Sequence, residues 1–146
     1  MFQGVTVLRL AIAAFVILVA AAPARADVRI VSSSGGVVGS YLDFFSRVRK
    51  SGERVIIDGP CLSACTLVLS TIPRNRICVT SRAVLGFHAP TIIDQAGRQY
   101  RSREATKAVA ASYPASVQKW IKTHGGLQQD LILLRGRELA SLYPRC

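Results

Sequence analysis

Three short stretches of this 146-residue chain carry residue types that perform acyl chemistry when they meet: Gly35-Gly36 in SSSGG, Ser63 in CLSAC and His88 in GFHAP. A serine hydroxyl is a weak nucleophile until a neighbouring base takes its proton, and a neutral imidazole is suited to that task. An oxyanion formed on a carbonyl needs backbone N–H donors aimed at it. Ala64 follows the serine and supplies one; Gly35 or Gly36 supplies the second, since no side chain there blocks approach. Taken singly, each has a plainer role. Ser63 would cap a helix, His88 would be a half-buried histidine with its hydrogen bonds met, and SSSGG would be an ordinary turn.

The elements around these residues decide whether they meet. Val28 to Val31 is β-branched and alternates, which predicts a strand. Val38, Tyr41, Leu42, Phe45 and Val48 recur at helical spacing, so Val37 to Lys50 reads as an amphipathic helix ended by Ser51-Gly52. Arg54 to Asp58 reads as a buried strand, Gly59-Pro60 as a turn, and Cys61 to Ser70 as a helix packed on a sheet. Ile77 to Thr80 and Ala83 to Phe87 read as further strands, with a loop at Pro73 to Arg76 between the helix and the first of them. Beyond them come a hairpin or loop over Thr91 to Arg103 and helices at Glu104 to Ala111, Ala115 to Lys122 and Leu127 to Leu134. A turn at Glu138 to Tyr143 closes the series. Alternating strands and helices predict an α/β fold with a mostly parallel sheet, flanking helices and right-handed crossovers. In such folds reactive groups gather at the carboxyl ends of strands. Each of the three stretches follows a predicted strand, so they would share one edge.

The stretch from Ile30 to Pro90 resembles the proteolytic subunit of the Clp protease, within the Clp/crotonase fold. VSSSGGVVGSYLDFFSRV is similar to that family's strand, Gly-Gly turn and long helix. RVIIDGPCLSACTLVLS is similar to its strand and nucleophile-bearing helix, and RICVTSRAVLGFHAP to its last core strands, which end in a histidine and a nearby proline. Ser63 and His88 stand 25 residues apart, the family's separation. CLSAC is also similar to the cysteine-flanked CxSAC motif of a group of exported Clp-like proteins whose function is not established. The resemblance implies a nucleophile at Ser63, a general base at His88, oxyanion donors at Gly36 and Ala64, and peptide hydrolysis through an acyl-enzyme. The family's third member is an aspartate well beyond the histidine. A strict register puts Arg135 there, leaving Asp130 and Glu138 on either side as the candidate acids. The chain is truncated relative to the family, lacking the axial loops that meet an ATPase, so no ATPase partner is expected. Two other readings stay open: a catalytically inactive Clp-like binding or assembly module, and a crotonase-like acyl binder.

The amino terminus sets the compartment. Arg9 precedes the 13-residue apolar run Leu10 to Ala22, Pro23 follows, and Ala24-Arg25-Ala26 has the small-x-small pattern of a cleavage site. Residues 1–26 therefore read as a signal peptide and 27–146 as a single exported domain, periplasmic or secreted. The alternative is an uncleaved anchor over Val5 to Ala22, which would carry Arg9 inside the span. All eight acidic residues and 17 of the 19 basic ones follow Ala26. That balance favours anionic envelope components or a peptide or protein substrate as partners, and no nucleic-acid motif accompanies it. A homo-oligomer is left open. Cys61, Cys65, Cys78 and Cys146 suggest two disulfides in an oxidising compartment. Cys61 and Cys65, close together at a predicted helix start, are each expected to pair with a distant partner, and a bond from Cys146 would pin the carboxyl terminus. No cofactor is implied. A metal site is not expected either: there is no CxxC, and His88 and His124 are remote from the cysteines. His124 reads as the cap of a helix end, and Tyr113 and Trp120 as packing residues.

Overall fold

The computed structural model describes residues 26–146; the predicted signal segment lies, but for Ala26, outside them. The fold is mixed α/β, built on small and partly parallel sheets. Strands β1 (Val28–Ile30), β2 (Val55–Ile57) and β4 (Ile77–Val79) form a parallel sheet in the order β1-β2-β4. The register sets Val28 beside Val55 and Val55 beside Ile77. β2 and β4 are buried along their whole length, which suits their continuous apolar sequences. Helix α1 (Val38–Ser51) joins β1 to β2 and buries Phe45 and Val48. Its last turn carries Arg49 and Lys50, where cations complement the helix dipole, and Gly52 closes it at φ 78°.

At Asp58-Gly59 the chain passes to a second sheet, ordered β3 (Pro60–Leu62), β5 (Val84–Phe87), β8 (Ile132–Arg135). Only glycine fits at this crossing, because a Cβ on Gly59 would lie 2.0 Å from the Val31 carbonyl oxygen. Beyond β1 the backbone runs on beside β3: Ser33 N–H donates to the Pro60 carbonyl at 2.8 Å, and Leu62 N–H to the Ser33 carbonyl at 2.9 Å. β3 pairs with β5 in parallel. The ends of the β1 extension, β3 and β5 therefore come to one edge, which brings together the stretches that carry Gly35-Gly36, Ser63 and His88.

Three predicted elements are corrected. Cys61 to Ser70 is not one helix: β3 comes first, then a 3-10 helix over Ser63–Leu67, then α2 (Val68–Thr71). Pro60 to Leu62 is drawn into strand because partners flank it on both sides. Leu127 to Leu134 is not a helix: β8 occupies its end and runs antiparallel to β5, with Leu134 buried and Leu133 half exposed in strand alternation. A short apolar run does not by itself separate the two conformations. Parallel pairing is thus broken by β8, and again by the hairpin β6 (Thr91–Ile93) and β7 (Gln99–Arg101). Helices α3 (Arg103–Ser112) and α4 (Ala115–Thr123) fall where helical patterning places them, and α5 (Gly136–Leu142) replaces the expected final turn. One hydrophobic cluster joins both sheets to α1, α4 and α5. Within it Phe87 meets Tyr113 edge-on, with ring centroids 5.2 Å apart.

Candidate active site

Ser63 Oγ and His88 Nε2 lie 2.7 Å apart, a full hydrogen bond between residues on different strand ends. Ser63 begins the 3-10 helix directly after β3, and its backbone is left-handed at φ 55°. A serine held this way at a sharp strand-to-helix turn projects its hydroxyl clear of both elements. The plainer role is set aside by the same geometry. No side chain caps this helix, and the Ser63 hydroxyl reaches His88 instead. Both side chains are half-buried, so the pair is open on one side.

The serine backbone is braced from beneath. Thr66 Oγ1 donates to the Ser63 carbonyl at 2.6 Å and lies 2.7 Å from Tyr113 OH. A threonine hydroxyl has one proton, so Tyr113 must donate to Thr66. Burial pushes the Tyr113 phenol up to about 12, which keeps that proton in place. From sequence Tyr113 reads as a packing residue alone, because its partner lies 47 residues away and leaves no local signal.

The glycine turn closes on the same point. A Cβ on Gly35 would meet Ser63 Cβ at 2.5 Å and Leu62 O at 2.7 Å, and Gly35 has φ 88°. Gly35 is thus the glycine pressed against the serine, while a Cβ on Gly36 would meet only the Tyr41 ring, at 3.6 Å. Ser33 Oγ holds the turn by accepting from Gly35 N–H and sharing a 2.7 Å hydrogen bond with Tyr41 OH. The first-turn N–H groups of the 3-10 helix, that of Ala64 among them, have no acceptor within the helix. An apolar cleft of about 420 Å³ between β1 and α1 reaches this flank, with Tyr41, Phe44 and Cys65 in its wall.

The expected third member is not in place. Among the described residues no carboxylate bonds to His88. Glu138 lies 3.6 Å from Nε2 of His124, and Asp130 is exposed to solvent. β8 explains this: a strand there carries Glu138 past the site onto α5. The backbone beside His88 is held instead by Ala89 N–H donating to the Gln128 carbonyl at 2.6 Å. His124 caps α4 and stacks on Trp120, ring centroids 4.0 Å apart.

The cysteines form two disulfides, which fits an oxidising compartment. The expectation that Cys61 and Cys65 each reach a distant partner is corrected. They bond to one another across Ser63, because β3 and the tight 3-10 turn bring their Cα atoms within 5.3 Å. Cys146 does reach back to the centre, to Cys78 on β4. Among the described residues no group of three or more His, Cys, Asp or Glu could hold a metal. No family model matches the chain, and a search of curated proteins finds no match either.

Proposed function

We propose that this is an exported serine hydrolase of the Clp/crotonase type, a peptidase that works without ATP. Ser63 attacks the substrate carbonyl carbon while His88 Nε2 takes its proton. The oxyanion is met by the N–H groups of Ala64 and Gly36. His88 passes the proton to the leaving amine, and water then releases the acyl group from Ser63. For Nε2 to accept, the proton of neutral His88 must sit on Nδ1. The observation that carries the reading is the 2.7 Å contact between Ser63 Oγ and His88 Nε2. The left-handed serine, the close approach of Gly35 and the Clp-like motifs of Ile30 to Pro90 support it.

A second reading is favoured by the missing acid: a Clp-like module that binds peptide or anionic envelope components without turnover. An unoriented histidine costs a serine enzyme about 10⁴-fold in rate. Covalent labelling separates the two. The disulfide-bonded protein should react with a fluorophosphonate at Ser63, and both Ser63→Ala and His88→Ala should abolish labelling. A folded wild-type protein that stays unlabelled overturns the hydrolase reading.

A further inference from the structure

The β6–β7 hairpin forms one wall of a cleft of about 310 Å³ whose other wall holds His88 and Ala89, with Gln129 at the side. Along the ladder Thr91 pairs with Arg101 and Ile93 with Gln99. Thr91, Gln99 and Arg101 therefore stand on one face of the ribbon and line the cleft, and Tyr100, from the alternate face, adds to its edge. Among the described residues no acidic side chain lines it. The hairpin's carboxylate, Asp94, is taken up at the turn. It accepts from the backbone N–H groups of Ala96 and Arg98, and pairs with the Arg98 guanidinium at 2.8 Å. Arg98 is thereby neutralised, whereas Arg101 enters no ion pair among the described residues. The cleft beside His88 thus has one uncompensated cation and two side-chain amides.

Its position settles which part of a substrate would enter. In the proposed reaction His88 delivers its proton to the leaving amine, so the leaving half of the peptide lies on the histidine's side. We infer that this cleft is a subsite for a carboxylate on the leaving half. Arg101 is the counter-charge, and Gln99 and Gln129 are amide donors. The carboxylate comes from an acidic side chain next to the scissile bond or from a free peptide carboxyl terminus. Naming it the leaving side rests on the hydrolase reading; binding of the carboxylate does not.

The test separates the two. Ser63→Ala protein, oxidised, is titrated with three short peptides, and affinity is read from the His88 imidazole NMR signals. One is an acetylated tetrapeptide amide with a central glutamate, the second its lysine counterpart, and the third an uncharged tetrapeptide with a free carboxyl terminus. Arg101 is exposed, so its ion pair is screened and modest. At least one carboxylate peptide should bind about fivefold tighter than the lysine peptide at low ionic strength. Arg101→Glu should cancel or reverse the preference, and the tighter of the two carboxylate arms identifies the source. Equal binding of all three, or a preference that survives Arg101→Glu, overturns the inference. Absence of fluorophosphonate labelling in wild type would overturn hydrolysis alone.

Discussion

Ser63 is the one non-glycine residue with positive φ among the described residues. Side-chain crowding makes left-handed backbone cost an L-residue about 1–2 kcal/mol, and glycine adopts it freely. The fold tolerates that strain at the residue whose hydroxyl meets His88, which is where stored backbone strain tends to gather. The cost can be isolated. Ser63→Ala and Ser63→Gly both remove the hydroxyl and its hydrogen bond, so they differ chiefly in backbone fit. Ser63→Gly should be the more stable by about 1 kcal/mol in urea unfolding. A glycine variant no more stable than the alanine variant would mean that the strain relieved at position 63 does not exceed glycine's extra unfolded-state entropy of about 0.4–1 kcal/mol.

At the scale of elements, the two disulfides have different tasks. Cys61 and Cys65 are four residues apart and span only the turn that carries Ser63, whereas Cys78 and Cys146 are 68 apart and tie the carboxyl end to β4. Loop-closure entropy assigns about 2 kcal/mol to the first and about 4 kcal/mol to the second. Replacing Cys78 and Cys146 by serine should therefore cost more stability. Replacing Cys61 and Cys65 should slow fluorophosphonate labelling more, since the turn loses its clasp. Labelling that is indifferent to the shorter bond would limit it to a stabilising role. The same turn marks where sequence reading ran out. Gly35-Gly36, Ser63 and His88 are legible because each lies shortly after an apolar stretch that reads as a strand, Val28 to Val31, Arg54 to Asp58 and Ala83 to Phe87. β3 is not, because Pro60-Cys61-Leu62 becomes a strand only when Ser33 and β5 flank it. β8 was missed for the same reason, and with it the displacement of Asp130 and Glu138 from His88. The Cys61–Cys65 bond depends on β3 as well, so a helical reading of CLSAC hid it.

For the whole molecule, the junction between the two sheets hangs on Asp58. Its N–H donates to the Ile30 carbonyl, and its carboxylate receives Arg29 from β1, Thr80 after β4 and Arg82 before β5. In a chain with net charge +11, this buried acid gathers two of the many cations at one joint. The Arg82 hydrogen bonds, then those from Thr80 and Arg29, hold its carboxyl down at about 2, from an ordinary value of 3.8. A folded-state value below the unfolded one means that its stabilisation is complete above the unfolded value. It is lost as the pH falls through about 2. Urea unfolding of wild type should weaken progressively between about pH 4 and pH 2. Asp58→Asn places amide hydrogens against two guanidinium groups, so it should be less stable than wild type at pH 7 and flatter over the acid window. Mutual repulsion of the remaining cations also grows in acid, but both proteins share it, and the difference between their curves isolates Asp58. Parallel curves would place the acid sensitivity elsewhere and leave the joint held by backbone pairing alone.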